Sequence, residues 1–330
     1  MSTAHNAFAS TLHAMLGAAD VPAAVRRWAG GDQAPGLALW RRLAYLGVTA
    51  LAVPEKRGGL GASPADLVAA WEELGHHAVP GPAAESLAAV PALLAALDEA
   101  GPRGEWLTRL VAGDLIATLA MPPRLPFAAD AEAAGLVLLA EPHAVWVGRA
   151  GARHQSVDPA RSLSVVTRHE LVARGAGTAV ARAFDLGVLA CSAQLLGAGR
   201  ALLEAAVRHA GVRAQFGRPV GAFQAVKHKL ADVAIALEFA RPLLDAAAAA
   251  IGDGSATAGR DVSAAKVACG DAAYLAARAA LQVHGAIGYT AEHDLSLWLT
   301  RVRALGPAWG SQAEHRDRVM AALAASPGPA

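Results

Sequence analysis

The sequence has little cysteine, few aromatic residues and no excess of charge of one sign. Its 330 residues include 2 cysteines, and aromatic residues make up 5% of the chain. Cys191 and Cys269 lie far apart in Ala-rich sequence without a Cys-x-x-Cys pair, so the chain carries no disulfide framework and no redox or metal motif. We expect both thiols to be small core residues of a protein that is large enough to bury a substantial core.

The charge balance and the apolar content narrow the classes of partner. The formal net charge is +1, and the basic residues are scattered, so the electrostatic footprint of a nucleic-acid binder is missing. Apolar residues make up 54%, but Ala and Gly carry much of this, and the apolar stretches are interrupted before the roughly 20 residues that cross a bilayer. The first residues also lack the pattern of an export signal. We expect a soluble, cytoplasmic protein with neither nucleic-acid nor membrane partners.

Hydrophobic periodicity divides the chain into a helical, a β and a second helical part. Apolar residues recur at helical spacing up to about Leu110, and short β-type runs follow at 136–139, 144–147 and 162–167. Helical spacing then returns over 179–211, 222–251 and 260–284, before two shorter helices. The prediction is a mostly α protein with a small β segment and three domains, which comprise residues 1–115, 116–172 and 173–330.

The stretch RAQFGRPVGAFQ, which starts at Arg213, connects two long predicted helices. It places one cation, two amides and two aromatic rings at a single corner: Arg213, Gln215, Phe216, Phe223 and Gln224. An Arg can hold a pyrophosphate, an amide can pair with adenine or ribose edges, and a Phe ring can pack on adenine. The alternative is an ordinary helix-turn-helix with an exposed Arg and a Phe that packs across the turn.

A second glycine-spaced stretch, QVHGAIGYTAEH, runs from Gln282 to His293 at the end of a predicted helix. Small residues there let a ligand approach the backbone closely. Alternatively, Gly285 is a helix C-cap and His284 a cation in the last turn.

Together the two stretches resemble the signature pair of the acyl-CoA dehydrogenase family, R-x-x-F-G-x-x-[IV]-x-x-[FH]-Q and Q-[IVL]-[HF]-G-G-x-G-[FY]-[TN]-x-[ED]. Val53–Ser63 resembles the first-domain loop of that family, and the stretch WEELG at Trp71–Gly75 follows at its usual place. The resemblance implies an N-terminal helical domain, a reduced middle β domain and a C-terminal four-helix-type bundle.

The resemblance also implies a cofactor, FAD, which is held between two subunits. The residues that would reach across the interface to the adenosine-pyrophosphate end of a neighbour's FAD are Arg213, Gln215, Phe216, Gln224, Gln282, Val283, His284, Gly285 and Ala286.

The chain departs from the family where the catalytic glutamate belongs. At the commoner of the two family positions it has Trp309 or Gly310, and at the alternative one it has Gly187, so no residue is assigned as catalytic. Glu314 is the nearest carboxylate, and we interpret it as the start of a final helix. The stretch 117–124 also lacks the family's flavin-supporting loop, so the flavin-ring half of the site is expected to be eroded.

These departures predict a shortened, non-catalytic subunit of a heteromeric acyl-CoA dehydrogenase. A longer partner, in an α2β2 heterotetramer, would supply the glutamate and the flavin-ring pocket and bind most of the acyl-CoA. The isolated chain would be inactive. By analogy with paired actinobacterial subunits, the substrate is a bulky CoA thioester such as a steroid side chain. A flavin-free scaffold and a self-sufficient enzyme using Glu314 remain as alternatives.

Two further patterns are given no function. The pattern Gly197-Ala-Gly199 lies in helical sequence without a preceding strand, which favours helix packing over a dinucleotide loop. His76 and His77 are adjacent and therefore diverge around a helix, and we assign them no partner with ligand spacing. No metal site is predicted.

Overall fold

The computed structural model describes residues 3–97 and 103–325. Within them, six α-helices precede the sheet: α1 (Thr3–Gly17), α2 (Val21–Ala29), α3 (Ala34–Tyr45), α4 (Pro64–His76), α5 (Val90–Ala96) and α6 (Arg103–Ala112). A π-helical turn at Glu85–Ala89 leads into α5. The predicted helical N-terminal part is confirmed.

Local sequence explains where α4, the helix that carries Glu73 and His76, begins. Ser63 is its N-cap, and the Ser63 hydroxyl accepts a hydrogen bond from Asp66 N while the Asp66 carboxylate accepts one from Ser63 N. Pro64 at the first helical position has no N–H to lose, so it fits there. Leu67, Trp71 and Leu74 then form the buried stripe that the periodicity predicted.

Five strands form one sheet in the order β1-β3-β4-β5-β2, in which β1 and β3 are parallel and the other neighbours antiparallel. The strands are β1 (Ala117–Ala120), β2 (Phe127–Ala129), β3 (Leu136–Glu141), β4 (Ala144–Gln155) and β5 (Ser162–Arg174). The three predicted runs are strands, but β1 and β2 were not predicted. β4 and β5 are also longer than predicted because their polar outer halves pair with each other in solvent.

The C-terminal part is a helical bundle. It consists of α7 (Gly177–Val212), a hairpin of β6 (Ala214–Gln215) and β7 (Arg218–Pro219), then α8 (Gln224–Gly252), α9 (Ala258–His284), α10 (Leu295–Leu305) and α11 (Gln312–Ala325). Each end predicted for α7, α8 and α9 lies within two residues of the observed end. Cys191 and Cys269 are fully buried core residues, as predicted, and burial raises the pKa of the Cys269 thiol to about 12.

Helix α7 is the central core element. By length and composition it is the one helix of the described chain that could cross a membrane, so the expectation that each apolar stretch is interrupted was wrong for it. In the fold, 89% of its most apolar window is buried, as in the core helix of a soluble protein. The predictions of cytoplasmic location and of no membrane partner stay predictions.

Helices α4 and α7 cross backbone against backbone. A Cβ at Gly75 would lie 2.1 Å from the Gln194 carbonyl oxygen, and one at Gly197 would lie 1.9 Å from the Glu72 carbonyl oxygen. Helix packing, which the sequence favoured for the Gly197 region, is therefore confirmed. Beside the crossing, the buried Glu72 carboxylate accepts hydrogen bonds from Arg200 and Arg241 and ties α4 to α7 and α8.

Candidate functional site

The corner between α7 and α8 presents its side chains to solvent. Arg213 ends α7, and the β6–β7 hairpin turns through Phe216 and Gly217, whose φ angles are 52° and 77°. Two successive positive φ values are typical of the tight turns that fit a two-residue hairpin, but they strain a residue other than glycine. The Phe216 side chain is 91% exposed. The strained backbone therefore places an aromatic ring in solvent, and no burial of the ring offsets the strain.

The side chains of this corner are only partly paired with each other. Phe216 and Phe223 lie edge to face with centroids 6.2 Å apart, and the Arg218 guanidinium lies 4.1 Å from the Phe223 centroid. Among the described residues, the Arg213 side chain has neither an ion pair nor a hydrogen bond. Gln215 and Gln224 are likewise exposed. The Phe223 contacts match the simple packing alternative, but Arg213 and Phe216 are left available for a ligand.

The end of α9 meets the end of α7 at a pair of histidines. The imidazoles of His209, one turn before Arg213, and His284 stack with centroids 4.2 Å apart. Burial lowers the pKa of both rings, so they are neutral at pH 7 and can stack without repulsion. The two sequence stretches are thus adjacent in space.

The loop after α9 caps that helix and leaves several of the predicted site residues exposed. Gly285 ends α9 at a φ of 66°, and its N–H donates to the Leu281 carbonyl, so the C-cap interpretation is correct for its backbone. The interpretation of His284 as a last-turn cation does not fit its lowered pKa. Gln282, Gly285 and Ala286 are exposed, whereas Val283 is half-buried.

Two apolar surfaces are exposed in this part of the chain, one beside the end of α9 and one on α8. A groove of about 500 Å³ runs beside the end of α9 and is lined by residues that include Tyr274, Leu281 and Tyr289. On α8, Ile235, Phe239 and Leu243 recur every four residues on one face and are 52%, 74% and 43% exposed. Contiguous exposed apolar surface of this kind marks interaction sites.

The two positions where the sequence lacks a catalytic glutamate lie against each other. A Cβ at Gly187 would lie 2.2 Å from the Trp309 indole, which is 1% exposed. The Trp309 backbone has a positive φ of 62°. The rings of Phe184 and Trp309 lie with their centroids 6.0 Å apart. The Arg124 guanidinium lies 5.1 Å from the Phe184 centroid, so the turn between β1 and β2 covers the same region. The indole fills the space into which a side chain at position 187 would extend.

A buried polar cluster next to Trp309 was not predicted from the sequence. The Trp309 indole and the Glu85 carboxylate border the same small cavity, and Glu85 lies 3.8 Å from the Arg161 guanidinium. Burial raises the pKa of Glu85, and it raises the pKa of Asp130 to about 7. These groups border a cavity of only about 10 Å³, which leaves no room for a substrate. They come from three separate segments, so no local motif could have indicated them.

Glu314 is part of a helix cap. Its carboxylate accepts a hydrogen bond of 2.7 Å from Ser311 N, and the Ser311 hydroxyl accepts one from Glu314 N. The bond from Ser311 N, followed by an interaction with the Ser311 side chain, holds the pKa of Glu314 below its usual range. The carboxylate therefore stabilises the start of α11, as interpreted from the sequence, and is poorly suited to accept a proton.

The reason given for excluding a metal at His76 and His77 was wrong. Their partners are Glu73, three and four residues earlier on α4, and His13 on α1. One ligand atom from each of these four residues lies within 4.8 Å of the others. Glu73 does have ligand spacing on α4, and His13 lies sixty residues before Glu73, where local spacing cannot indicate it.

Comparisons with known proteins agree on one family. Residues 174–324 match the sequence model of the acyl-CoA dehydrogenase C-terminal domain, and residues 2–114 match that of the N-terminal domain. The chain is 33% identical over 284 residues to acyl-CoA dehydrogenase IpdE2 of Mycobacterium tuberculosis, which covers 85% of each chain. It is 30% identical to IpdE2 of Mycolicibacterium smegmatis, over 86% of this chain and 87% of that protein.

Solved structures share the fold at lower identity. Butyryl-CoA dehydrogenase from Megasphaera elsdenii superposes with a TM-score of 0.83 at 20% identity, over 98% of this chain and 99% of that one. A chain of the ChsE4-ChsE5 complex from Mycobacterium tuberculosis superposes with a TM-score of 0.84 at 22% identity, over 99% of each. At these identities the likeness concerns the fold alone.

Proposed function

This chain belongs to the acyl-CoA dehydrogenase family, and we propose that it is the non-catalytic subunit of an FAD-dependent heteromeric acyl-CoA dehydrogenase. In this proposal it completes the adenosine-pyrophosphate half of an FAD site that lies across a subunit interface. A longer partner subunit supplies the catalytic glutamate, the flavin-ring pocket and most of the acyl-CoA contacts. The assembly contains two copies of each chain.

One observation carries the proposal: the catalytic position is filled, whereas the cofactor-facing corner is open. The Trp309 indole lies where a glutamate side chain at position 187 would extend, and position 309 itself carries no acid. Arg213, in contrast, is exposed and has no side-chain partner in the described part of the chain. A flavin-free scaffold has no use for an unpaired cation beside a strained, exposed Phe216.

The residues at the corner fit the adenosine end of FAD. The Arg213 guanidinium is a fork-shaped donor suited to a pyrophosphate, and the Phe216 ring offers an apolar face to adenine. Gln215, Gln224 and Gln282 supply amides, and a Cβ added at Gly285 would meet no atom within 4 Å, so a ligand can approach the backbone. When bound, FAD accepts the hydride that leaves the β-carbon of the acyl-CoA. This chain's residues bind and orient the end of the cofactor remote from that transfer.

The partner surface is proposed to include the exposed stripe on α8. Ile235, Phe239 and Leu243 form an apolar face on a helix that follows the corner directly, so the same partner can contact both. Burial of apolar surface contributes about 25 cal/mol per Å², which makes such a face unfavourable in water when the chain is alone. We therefore expect the separately expressed chain to be poorly soluble or colourless.

Similar proteins support a heteromeric assembly and a bulky substrate. The ChsE4-ChsE5 neighbour is a complex of two different chains, and another neighbour, Tcur3481-Tcur3483, is a steroid acyl-CoA dehydrogenase with a TM-score of 0.85 at 22% identity. By analogy, we propose a CoA thioester with a large ring-containing acyl group as the substrate of the assembly.

The test is FAD retention by the co-expressed pair of chains. The expected content is one FAD for each pair of unlike chains, because each pair has one complete flavin-ring pocket. Arg213→Ala removes a charge-assisted bond of about 1.5–3 kcal/mol, so FAD affinity should fall roughly ten- to a hundred-fold without loss of assembly. Arg213→Lys should recover part of the loss, since an ammonium replaces the guanidinium fork imperfectly.

Arg182→Ala is the matched control, because Arg182 is an exposed arginine near the other end of α7 and its loss should leave FAD content unchanged. Two FAD for each pair, or a yellow and active assembly of this chain alone, would contradict the proposal. Dehydrogenase activity that survives Arg213→Ala but disappears with Glu314→Gln would place the base on this chain.

A further inference from the structure

Four side chains of metal-binding types, one glutamate and three histidines, meet between α1 and α4. Glu73, His76 and His77 follow each other at the i, i+3 and i+4 spacing that brings side chains to neighbouring positions on a helix. His13 reaches them from α1. Glu73 and His76 are buried, with 6% and 8% exposure, so the cluster lies beneath the surface with His13 as its outer member.

Three of the distances between the donor atoms are close to those in a tetrahedral metal site. His13 Nδ1 lies 2.7 Å from Glu73 Oε2 and 3.2 Å from His77 Nε2, and the third pair, His77 Nε2 and Glu73 Oε2, is 3.8 Å apart. Zinc bonds of about 2.0–2.1 Å at tetrahedral angles place neighbouring ligand atoms roughly 3.3 Å apart. The three observed distances lie on both sides of this value.

Hydrogen bonding alone does not satisfy this arrangement. His13 Nδ1 faces both the Glu73 carboxylate oxygen and His77 Nε2, and a single neutral nitrogen can either donate or accept but cannot do both. A cation among the three atoms would satisfy all of their lone pairs together. The second Glu73 oxygen is already used, because Oε1 lies 3.4 Å from the Arg200 guanidinium. Oε2 is thus the oxygen left for a ligand.

His76 supplies an independent observation. Its Nε2 lies 3.1 Å from a Glu204 carboxylate oxygen, while its Nδ1 is buried and has no hydrogen-bond partner. A histidine that binds a metal through one nitrogen usually donates its other N–H to a carboxylate, which fixes the tautomer. Glu204 on α7 is placed for that role. A buried nitrogen lone pair without a partner costs free energy unless a ligand uses it.

We propose that His13, Glu73, His76 and His77 bind one Zn²⁺, with Glu204 as the outer carboxylate that orients His76. Imidazole nitrogens favour zinc over the hard cations Mg²⁺ and Ca²⁺, which take oxygen ligands. Four protein ligands leave no open position, so the ion has a structural role: it fastens α1 to α4. The site is independent of the flavin and of the partner's glutamate.

The experiment measures zinc in the co-purified assembly after removal of metal by a chelator and readdition of Zn²⁺ or Mg²⁺. We expect one tightly held Zn²⁺ for each copy of this chain, an increase in melting temperature with Zn²⁺ but not with Mg²⁺, and the visible absorption of tetrahedral Co²⁺ after substitution. His13→Gln should abolish the Co²⁺ bands, and Glu204→Gln should weaken zinc affinity about 10–100-fold.

His169→Gln is the matched control, because His169 is an exposed histidine on β5 outside the cluster. His13 is half-exposed, so His13→Gln should leave the fold intact, which circular dichroism checks. Zinc binding that His13→Gln does not change, octahedral Co²⁺ spectra, or equal stabilisation by Mg²⁺ would each overturn the proposal.

Discussion

Two regions along the same helix differ in what surrounds them. Near the start of α7, Gly187 is pressed against a buried tryptophan, and the adjoining cavity is no larger than about 10 Å³. At its end, 26 residues and about 39 Å further on, Arg213 and its neighbours are exposed. The first region is packed as a core, whereas the second keeps charge and aromatic surface that the fold itself does not use.

The contrast is the one expected under the proposed function, in which one part of a shared site is lost and the rest is kept. A chain that only had to fold would be free to bury or remove the exposed groups at the end of α7. A chain with its own catalytic centre would need space beside Gly187. A subunit that serves a neighbour's cofactor needs the open corner and gains stability by filling the other space.

The largest expected effect on stability comes from removing the Trp309 indole that fills the space beside Gly187. Trp309→Ala removes a fully buried indole and should destabilise the fold by about 3–5 kcal/mol, since the surrounding helices cannot collapse completely into the cavity. Thermal unfolding of the co-purified assembly measures the loss. Trp309→Phe, which keeps a ring, should lose much less. A cost below about 1 kcal/mol for Trp309→Ala would mean that the region is not a packed core.

Alanine substitutions at two glycines of α7, one in each region, test the difference between the regions directly. Gly187→Ala places a methyl group within the indole and should cost about 2–3 kcal/mol by overpacking. Gly211→Ala meets no atom within 4 Å and should stabilise the helix by roughly 0.5–1 kcal/mol. The melting temperatures of the two variants should therefore move in opposite directions. Equal shifts would remove the distinction between the regions.

A buried acid next to Trp309 makes the filled region sensitive to pH. Burial raises the folded-state pKa of Asp130 from 3.8 to about 7, so the stability it contributes is present below pH 4 and is lost as pH rises through 7. Asp130→Asn keeps an acceptor for Ser162 N and suits the positive φ of this residue. The variant should be more stable than the parent by about 1–2 kcal/mol at pH 8, with no advantage at pH 4. Parallel melting curves across this pH range would contradict the assignment.

The smallest effect on stability is expected at the open corner. Phe216 is 91% exposed, so Phe216→Ala should change the free energy of unfolding by less than about 0.5 kcal/mol. The same substitution should lower FAD retention of the assembly by roughly ten-fold, because an aromatic face stacked on a base contributes about 1–3 kcal/mol. Unchanged FAD retention would show that the ring serves the partner interface and not the cofactor.

The long helices could be predicted from the sequence because their apolar positions repeat over many turns. The limits of α7, α8 and α9 were found to within two residues. The sheet was harder: β1 and β2 are four and three residues long, and the polar sequence after Val147 in β4 reads as a loop. That half of β4 owes its extended form to pairing with β5 and has no buried face to generate an alternating pattern.

The candidate site was predictable only where its residues are close together in the chain. The motifs at Arg213 and Gln282 were recognised because each lies within a dozen residues. The sequence shows that positions 187 and 309 carry no glutamate, but it could not show that the Trp309 indole fills the space next to Gly187. The His13 cluster depends on a contact between α1 and α4, and tertiary contacts over sixty residues leave no periodic signal.

The crossing of α4 and α7 at Gly75 and Gly197 has a consequence for how this sequence can drift over evolutionary time. Side-chain layers can exchange one apolar residue for another and repack, but a contact between two backbones has no rotamers with which to adjust. Any side chain at either position would separate the helices, and with them His76 from Glu204. Substitutions can accumulate in the layers around the crossing, while these two positions are expected to remain glycine.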